Sequence, residues 1–297
     1  MISPLPFRAG YLAIIGCPNV GKSTLMNRLI GAKLSITSKK AQTTRHRIHG
    51  ILTTDECQYV FVDTPGFQTQ HRTALNRAMN RTVNAALADV DVILFVIEGT
   101  RWRAEDQAVL DKLPADRPVI LVINKVDRLA DKNALLPFLA SAAERHAFAD
   151  MVPVSAERGD NLDALLKVAG RHLPEAEPIF SPDELTDRSE RFLAAELLRE
   201  KLFRNLGEEL PYGIAVEIEK YEEVDGIRRI HAAVIVDRDA HKAIVIGKGG
   251  ERLKRVASDA RKDMEQLFGG KVWLETWVKV KSGWADDERA LKSLGYE

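Results

Sequence analysis

Residues Gly16-Cys17-Pro18-Asn19-Val20-Gly21-Lys22-Ser23 constrain this chain more tightly than any other segment. They have the spacing GxxxxGK followed by Ser, a loop that needs a strand before it and a helix after it. The flanks meet that condition: residues 11–15 form an apolar run, and residues 24–30, opening on Thr24, have helical spacing. The glycines let the backbone curl, so that successive N–H groups converge on one anion. The helix N-terminus adds its partial positive charge. Lys22 is expected to reach the β- and γ-phosphates of a nucleotide, and the Ser23 hydroxyl to ligate Mg²⁺.

Further Val- and Ile-rich runs at 59–62, 92–97, 119–123 and 151–154 alternate with helix-like stretches such as the one carrying Leu162, Leu165, Leu166 and Ala169. That alternation predicts an α/β domain over residues 8–172 with a central, mostly parallel sheet covered on both faces. Ligands in such sheets sit beyond the carboxyl ends of the strands, and the remaining motifs fall there. Asp63-Thr64-Pro65-Gly66 follows the second run. Asp63 is placed to hold the Mg²⁺ shell, and Gly66 to bring a backbone N–H to the γ-phosphate. Asn124-Lys125-Val126-Asp127 follows the fourth run. The Asp127 carboxylate can accept from both N1–H and the N2 amino group of guanine. Adenine lacks those donors and would leave the carboxylate unpaired, which discriminates by roughly four orders of magnitude. Lys125 would lie along the base, and Asn124 would tie this loop to the phosphate loop. Ser155-Ala156 completes the pocket, with the Ala156 N–H near guanine O6. The ligand is therefore GTP or GDP.

In order and spacing these four motifs, with a Thr-bearing loop as a fifth, resemble the translation-factor-related small GTPases. In that family a Thr between the first helix and the second strand ligates Mg²⁺. The matching stretch is Lys39-Lys40-Ala41-Gln42-Thr43-Thr44-Arg45; Thr44 is the preferred ligand and Thr43 the runner-up. With Lys22 and Gly66, Thr44 makes up the expected catalytic set. Where Ras-like enzymes place a water-orienting Gln after the glycine, this chain has Phe67. An apolar side chain cannot position the nucleophile, so slow intrinsic turnover is expected. A subset of related GTPases uses an Asn at the position of Asn19 to help hold K⁺ near the phosphates, and the same role is expected here.

Near residue 172 the composition changes. Pro174, Pro178 and Pro182 punctuate an acidic stretch of little periodicity, read as a linker over 173–186. A second domain over 187–297 is expected to run helix, strand, strand, helix, strand. Asp187 would cap the first helix, with Glu190 three residues on. Strands are expected at 213–219, 229–236 and 272–280. Gly247-Lys248-Gly249-Gly250 lies between the apolar run 243–246 and an amphipathic helix starting near Arg252. This matches the GxxG loop with which KH domains clamp single-stranded RNA, and the element order fits an α+β, type II KH domain. Residues 238–262 hold eight Lys and Arg against three Asp and Glu, a net +5, although residues 181–297 together carry −3. Gly247, Lys248, Gly249, Gly250, Arg252, Lys254 and Arg255 are the expected RNA contacts.

Formal charge over the whole chain is +0, so only this local patch argues for nucleic acid. The two cysteines, Cys17 and Cys57, exclude a disulfide framework and fit a reducing cytosol. No signal peptide or membrane-length apolar run is evident.

A P-loop GTPase domain joined to a C-terminal KH domain resembles the Era family of bacterial GTPases. Residues 98–102 (Glu-Gly-Thr-Arg-Trp), 209–212 (Glu-Leu-Pro-Tyr) and 277–284 (Trp-Val-Lys-Val-Lys-Ser-Gly-Trp) extend the resemblance nearly end to end. It implies binding to the 3′ end of 16S rRNA and a role in assembling the 30S ribosomal subunit. It also implies a cytoplasmic protein with peripheral association at the inner membrane. The chain is expected to act as a monomer. The second reading is an RNA-binding module in which GTP is mainly a structural ligand.

Overall fold

In the computed structural model, which describes residues 6–38, 40, 43–66, 73–207 and 213–296, the chain divides into two compact units. The first takes residues 1–35, 44–69 and 80–187, and the second takes 36–43, 70–79 and 188–297. Phe67, Lys39, Ala41 and Gln42 lie outside the described residues.

The first unit is built on a six-stranded sheet. Its elements in chain order are β1 Arg8–Ile15, α1 Lys22–Ile30, β2 Ile48–Thr53, β3 Cys57–Asp63, α2 Ala74–Ala88, β4 Val92–Glu98, α3 Ala104–Leu110, β5 Val119–Asn124, α4 Leu135–Ala143, β6 Asp150–Pro153 and α5 Leu162–Arg171. The first residues of α2, through Met79, are grouped with the second unit. Strand order is β2-β3-β1-β4-β5-β6, parallel except for β2 against β3. Every residue of β3 and β5 is buried, as expected of strands covered on both faces. The antiparallel β2 was not foreseen in the sequence. Its Gly50 breaks the apolar run, yet α1 packs directly across it: a Cβ there would lie 2.0 Å from Ile30 Cδ1.

Residues 173–186, expected as a linker, run along this unit. Gln58, wholly buried in β3, accepts the N–H groups of Ile179 and Phe180 at 2.7 and 2.9 Å and donates to Phe180 O at 2.8 Å. Asp187 pairs with His49 at 2.9 Å.

The second unit contains α6 Glu190–Asn205, β7 Ile214–Val224, β8 Ile227–Val236, α7 Asp239–Ile246, α8 Glu251–Phe268, β9 Lys271–Val280 and α9 Glu288–Ser293. The cap of α6 corrects the sequence reading: Ser189, not Asp187, accepts the Phe192 N–H. β7 and β8 form an antiparallel hairpin through Asp225 and Gly226, both at positive φ, as a twisted two-residue turn requires. β9 joins β8 in parallel, and a parallel pairing needs a long crossover. Two helices supply it. The run 243–246 thus ends a helix, α7, which the expected element order lacked. One core unites Leu197, Leu198 and Leu202 of α6 with Ile230 and Val234 of β8 and Val256, Ala260 and Met264 of α8. After β9 the chain continues into a second apolar cluster around Trp284, Leu291 and Tyr296, which also takes in Leu75 and Met79.

Candidate functional site: a nucleotide pocket and a basic groove

The phosphate loop leaves β1 and enters α1. A Cβ on Gly16 would sit 2.2 Å from Val96 O, so only glycine fits there. Gly21, at φ +103, would drive a Cβ to 2.3 Å from Asn124 Nδ2. Asn19 also stands at positive φ, a conformation that Asn tolerates well. Lys22 is buried at the start of α1, with Nζ 2.9 Å from both Gly16 O and Cys17 O. Burial pulls its ammonium below the ordinary lysine range, against the pull of Asp63. Thr24 follows in the first turn. Val20 is buried, and Pro18 packs close to Gly66. Cys17 points inward, and burial, with Asp106 beside it, raises its thiol to about 12.

The cation ligands expected from sequence come together around Asp63. Its Oδ2 accepts from the Ser23 hydroxyl at 2.7 Å and lies 3.4 Å from the Thr44 hydroxyl; Ser23 and Thr44 are 2.9 Å apart. Thr43 turns away and donates to Lys40 O at 2.6 Å. Sequence reasoning missed Ser35, wholly buried and donating to Asp63 Oδ2 at 2.6 Å. Burial raises the Asp63 carboxyl above the usual range, opposed by these hydroxyls and by Lys22. Its Oδ1 is buried with no partner among the described residues. One buried carboxylate with an open oxygen and converging hydroxyls fits Mg²⁺, which takes few protein ligands and fills its shell with phosphate and water. Next in the chain, the Thr64 hydroxyl donates to Ile14 O at 3.2 Å, Pro65 is buried, and Gly66 is half-buried.

Asn124, 1% exposed at the end of β5, joins the loops. Its Nδ2 donates to Val20 O at 2.9 Å, and its Oδ1 accepts the N–H groups of Lys125 at 2.8 Å and Ala156 at 3.0 Å. The Ala156 N–H, expected near guanine O6, donates to Asn124 here and helps fix the loop. Lys125, at φ +63, is braced by Asn19 O at 2.6 Å and by Glu98 at 2.9 Å. Burial works against the Glu98 charge, but Lys125 and Arg103 outweigh it and hold its carboxyl below the ordinary value. Glu98 had no assigned role in the sequence. The Ser155 hydroxyl donates to Asp127 Oδ1 at 2.6 Å and is the largest cause holding that carboxyl low and charged.

In the second unit, Gly247, Gly249 and Gly250 all take positive φ between α7 and α8. A Cβ on Gly247 would meet Arg252 Cβ at 2.7 Å, whereas Gly249 and Gly250 face open space. A groove of about 400 Å³ runs between α8 and β9, an edge strand among the described residues, lined by Lys254, Ser258, Arg261, Glu275 and Thr276 among others. Lys254 faces this groove and Lys248 is exposed on the loop. Arg252 and Arg255 are exposed and also bond within this unit. Arg252 donates back to Ile244 O, and Arg255 donates to Asn205 Oδ1 at 2.7 Å, so both brace the loop and its helix. Arg261, Ser258 and Thr276 were missed, because which face of α8 and which edge of β9 border the groove is a tertiary fact.

Residues 11–125 match a family model described as a 50S ribosome-binding GTPase, and residues 209–285 match the KH domain. GTPase Era of Nitrosomonas eutropha is 61% identical over 291 residues, covering 98% of each chain. GTPase Era of Chromobacterium violaceum is 56% identical over 292 residues, 98% of this chain and 99% of its own. Among solved structures, a variant of Aquifex aeolicus Era bound to GDP and AlF4⁻ superposes with a TM-score of 0.95 at 41% identity, over 98% of this chain and 99% of that one. Era in complex with MgGDPNP and nucleotides 1506–1542 of 16S ribosomal RNA gives 0.94 at 41% identity, with the same coverage.

Proposed function

This chain belongs to the Era family of GTPases, and from that membership we propose that it is a GTP-driven switch that engages the 3′ end of 16S ribosomal RNA during assembly of the 30S subunit. The observation that carries the reading is the pairing, in one chain, of a guanine pocket knitted together by Asn124 with a GxxG loop opening onto a basic groove. The 16S assignment is supported by the RNA held in the related complex. It departs from the 50S ribosome in the description of the family matched by residues 11–125.

Lys22 and the loop N–H groups hold the β- and γ-phosphates, and the Gly66 N–H meets the γ-phosphate. The charge that gathers on those oxygens is offset by Mg²⁺ held through Ser23, Thr44 and Asp63. Asp127, kept charged by Ser155, reads N1–H and N2 of guanine. Asn19 is exposed beside the phosphate loop, where its side chain can share a K⁺ with the nucleotide. That cation would stand in for the missing polar group at Phe67. Turnover should be several-fold faster in KCl than in NaCl; equal rates would remove the K⁺ role.

The family resemblance carries further proposals: a monomer in the cytoplasm, with peripheral contact at the inner membrane. No helix among the described residues is long and apolar enough to cross a membrane. The partner assignment is tested by crosslinking the protein to RNA in cells and sequencing what is bound. Enrichment of the 3′ end of 16S rRNA is expected, and enrichment of unrelated RNA would contradict it.

A further inference from the structure

Residues 36–43 belong by their contacts to the second unit, although Thr44 follows them directly in the chain. Three side chains of α6 and the carbonyls at its end hold them. Glu200 is wholly buried; its Oε1 accepts the Thr37 N–H at 2.9 Å and lies 3.3 Å from the Thr37 hydroxyl. Arg204, one turn on, donates to Thr37 O at 3.1 Å, to its hydroxyl at 2.9 Å and to Glu200 at 3.0 Å. Lys40 Nζ donates to Phe203 O at 2.6 Å and also to Leu206 O, carbonyls that a helix end leaves open. Arg199, 1% exposed, is gripped by Glu196 at 2.7 and 2.6 Å and donates to Thr43 O at 2.6 Å.

A helix packed on a sheet needs only an apolar stripe. Burying Glu196, Arg199 and Glu200 gains little stability over apolar residues of similar size. Their targets explain them better: Glu200 ends on residue 37, and Arg199, gripped by Glu196, ends on residue 43. The same helix touches the RNA loop's own helix, through Asn205 and Arg255 at 2.7 Å. The segment after Gly66 is also engaged in this unit, where Ala74 N–H donates to Asp286 at 3.2 Å and Leu75 N–H to Ala285 O at 3.2 Å.

We propose that Arg199, Glu200 and Arg204 are positioning residues for Thr44. By fixing residues 37 and 43, with Lys40 held on the helix-end carbonyls between them, they set the backbone that delivers the Thr44 hydroxyl to Ser23 and Asp63, and they convey the nucleotide state to α6 and α8. Thr43 O is held by Arg199 and Thr44 by the cation group, one residue apart, about 3.8 Å between Cα atoms, so neither moves alone. By linkage, whatever the γ-phosphate favours at Thr44 it also favours at α6. This inference rests on the switch reading above.

The test measures affinity for an oligonucleotide of the single-stranded 16S 3′ end, with the protein loaded with GDP or with a non-hydrolysable GTP analogue, at one salt concentration. Wild type is expected to differ between the two states on the order of tenfold. Glu200→Ala, and separately Thr37→Val combined with Lys40→Ala, should bring that ratio to within about twofold of unity. Both should also speed release of the GTP analogue in Mg²⁺ while leaving GDP release unchanged. The double variant leaves the core of α6 intact, so it decides the matter if Glu200→Ala fails to fold. Lys254→Ala, in the groove, should weaken RNA binding equally in both states and preserve the ratio. Folded clamp variants that keep the wild-type ratio overturn this inference alone. A wild-type ratio of one removes the switch reading and this inference with it.

Discussion

Asn124 shows how one side chain can serve three loops. Its amide reaches Val20 of the phosphate loop, its own strand end at Lys125 and the Ala156 N–H, all while buried. Asn124→Ala should cost about 2–4 kcal/mol of folding stability, because several buried polar groups lose partners together. Thermal unfolding of the nucleotide-free protein checks this. Asp127 acts differently: half-buried, its carboxylate bonds the Ser155 hydroxyl and keeps its remaining acceptor capacity for a ligand. Asp127→Asn should lower GTP affinity by a factor on the order of 10⁴ and raise preference for xanthosine triphosphate; unchanged GTP affinity would contradict the base-reading role. Cys17 sits in the loop yet takes no chemical part through its thiol. Raised to about 12 by burial and Asp106, it should resist alkylation at pH 8 in the folded protein and react only on unfolding.

Among elements, loops at strand ends were the most legible, because their residue types follow from local chemistry. Gly16, Lys22, Ser23, Asp63 and Asn124 could be assigned from spacing alone, and the structure brings them to one end of the sheet. Elements whose patterns depend on a neighbour were hidden. β2 carries a glycine because α1 crosses it, and α7 is short with an apolar end that mimics a strand. Ser35 was invisible because nothing around it forms a motif; only folding brings it to Asp63. At the GxxG turn, Gly247→Ala combines positive φ with a Cβ contact of 2.7 Å. It should weaken RNA binding at least tenfold, since strain of about 1–2 kcal/mol distorts the loop, while GTP affinity stays unchanged. At the start of α6, Arg228, bonded at 2.7 and 3.0 Å, holds the Glu190 carboxyl below its ordinary value. A depressed carboxylate contributes stability above its unfolded pKa and loses it as pH falls through the folded one. Glu190→Gln should therefore cost about 0.5–1 kcal/mol at pH 7. The difference from wild type should vanish on acidification below the carboxylate range.

For the whole molecule, overall charge said nothing about RNA, and only the local excess around residues 238–262 pointed to it. Domain order was readable from the change of pattern near residue 172. What could not be read was that residues 36–43 and 70–79, flanking the two γ-phosphate motifs, group with the C-terminal unit. Residues 37 and 43 bond to buried charges in α6, which sequence periodicity treats as interruptions of an apolar stripe, while Leu75 and Met79 pack in the cluster around Trp284. On the inference above, this grouping makes a nucleotide pocket and an RNA groove parts of one switch. The most direct test of that account is the affinity of the wild-type protein for the 3′ end of 16S rRNA, measured at constant salt with a GTP analogue bound and again with GDP bound. The account predicts a difference on the order of tenfold; equal affinities in the two states would contradict it.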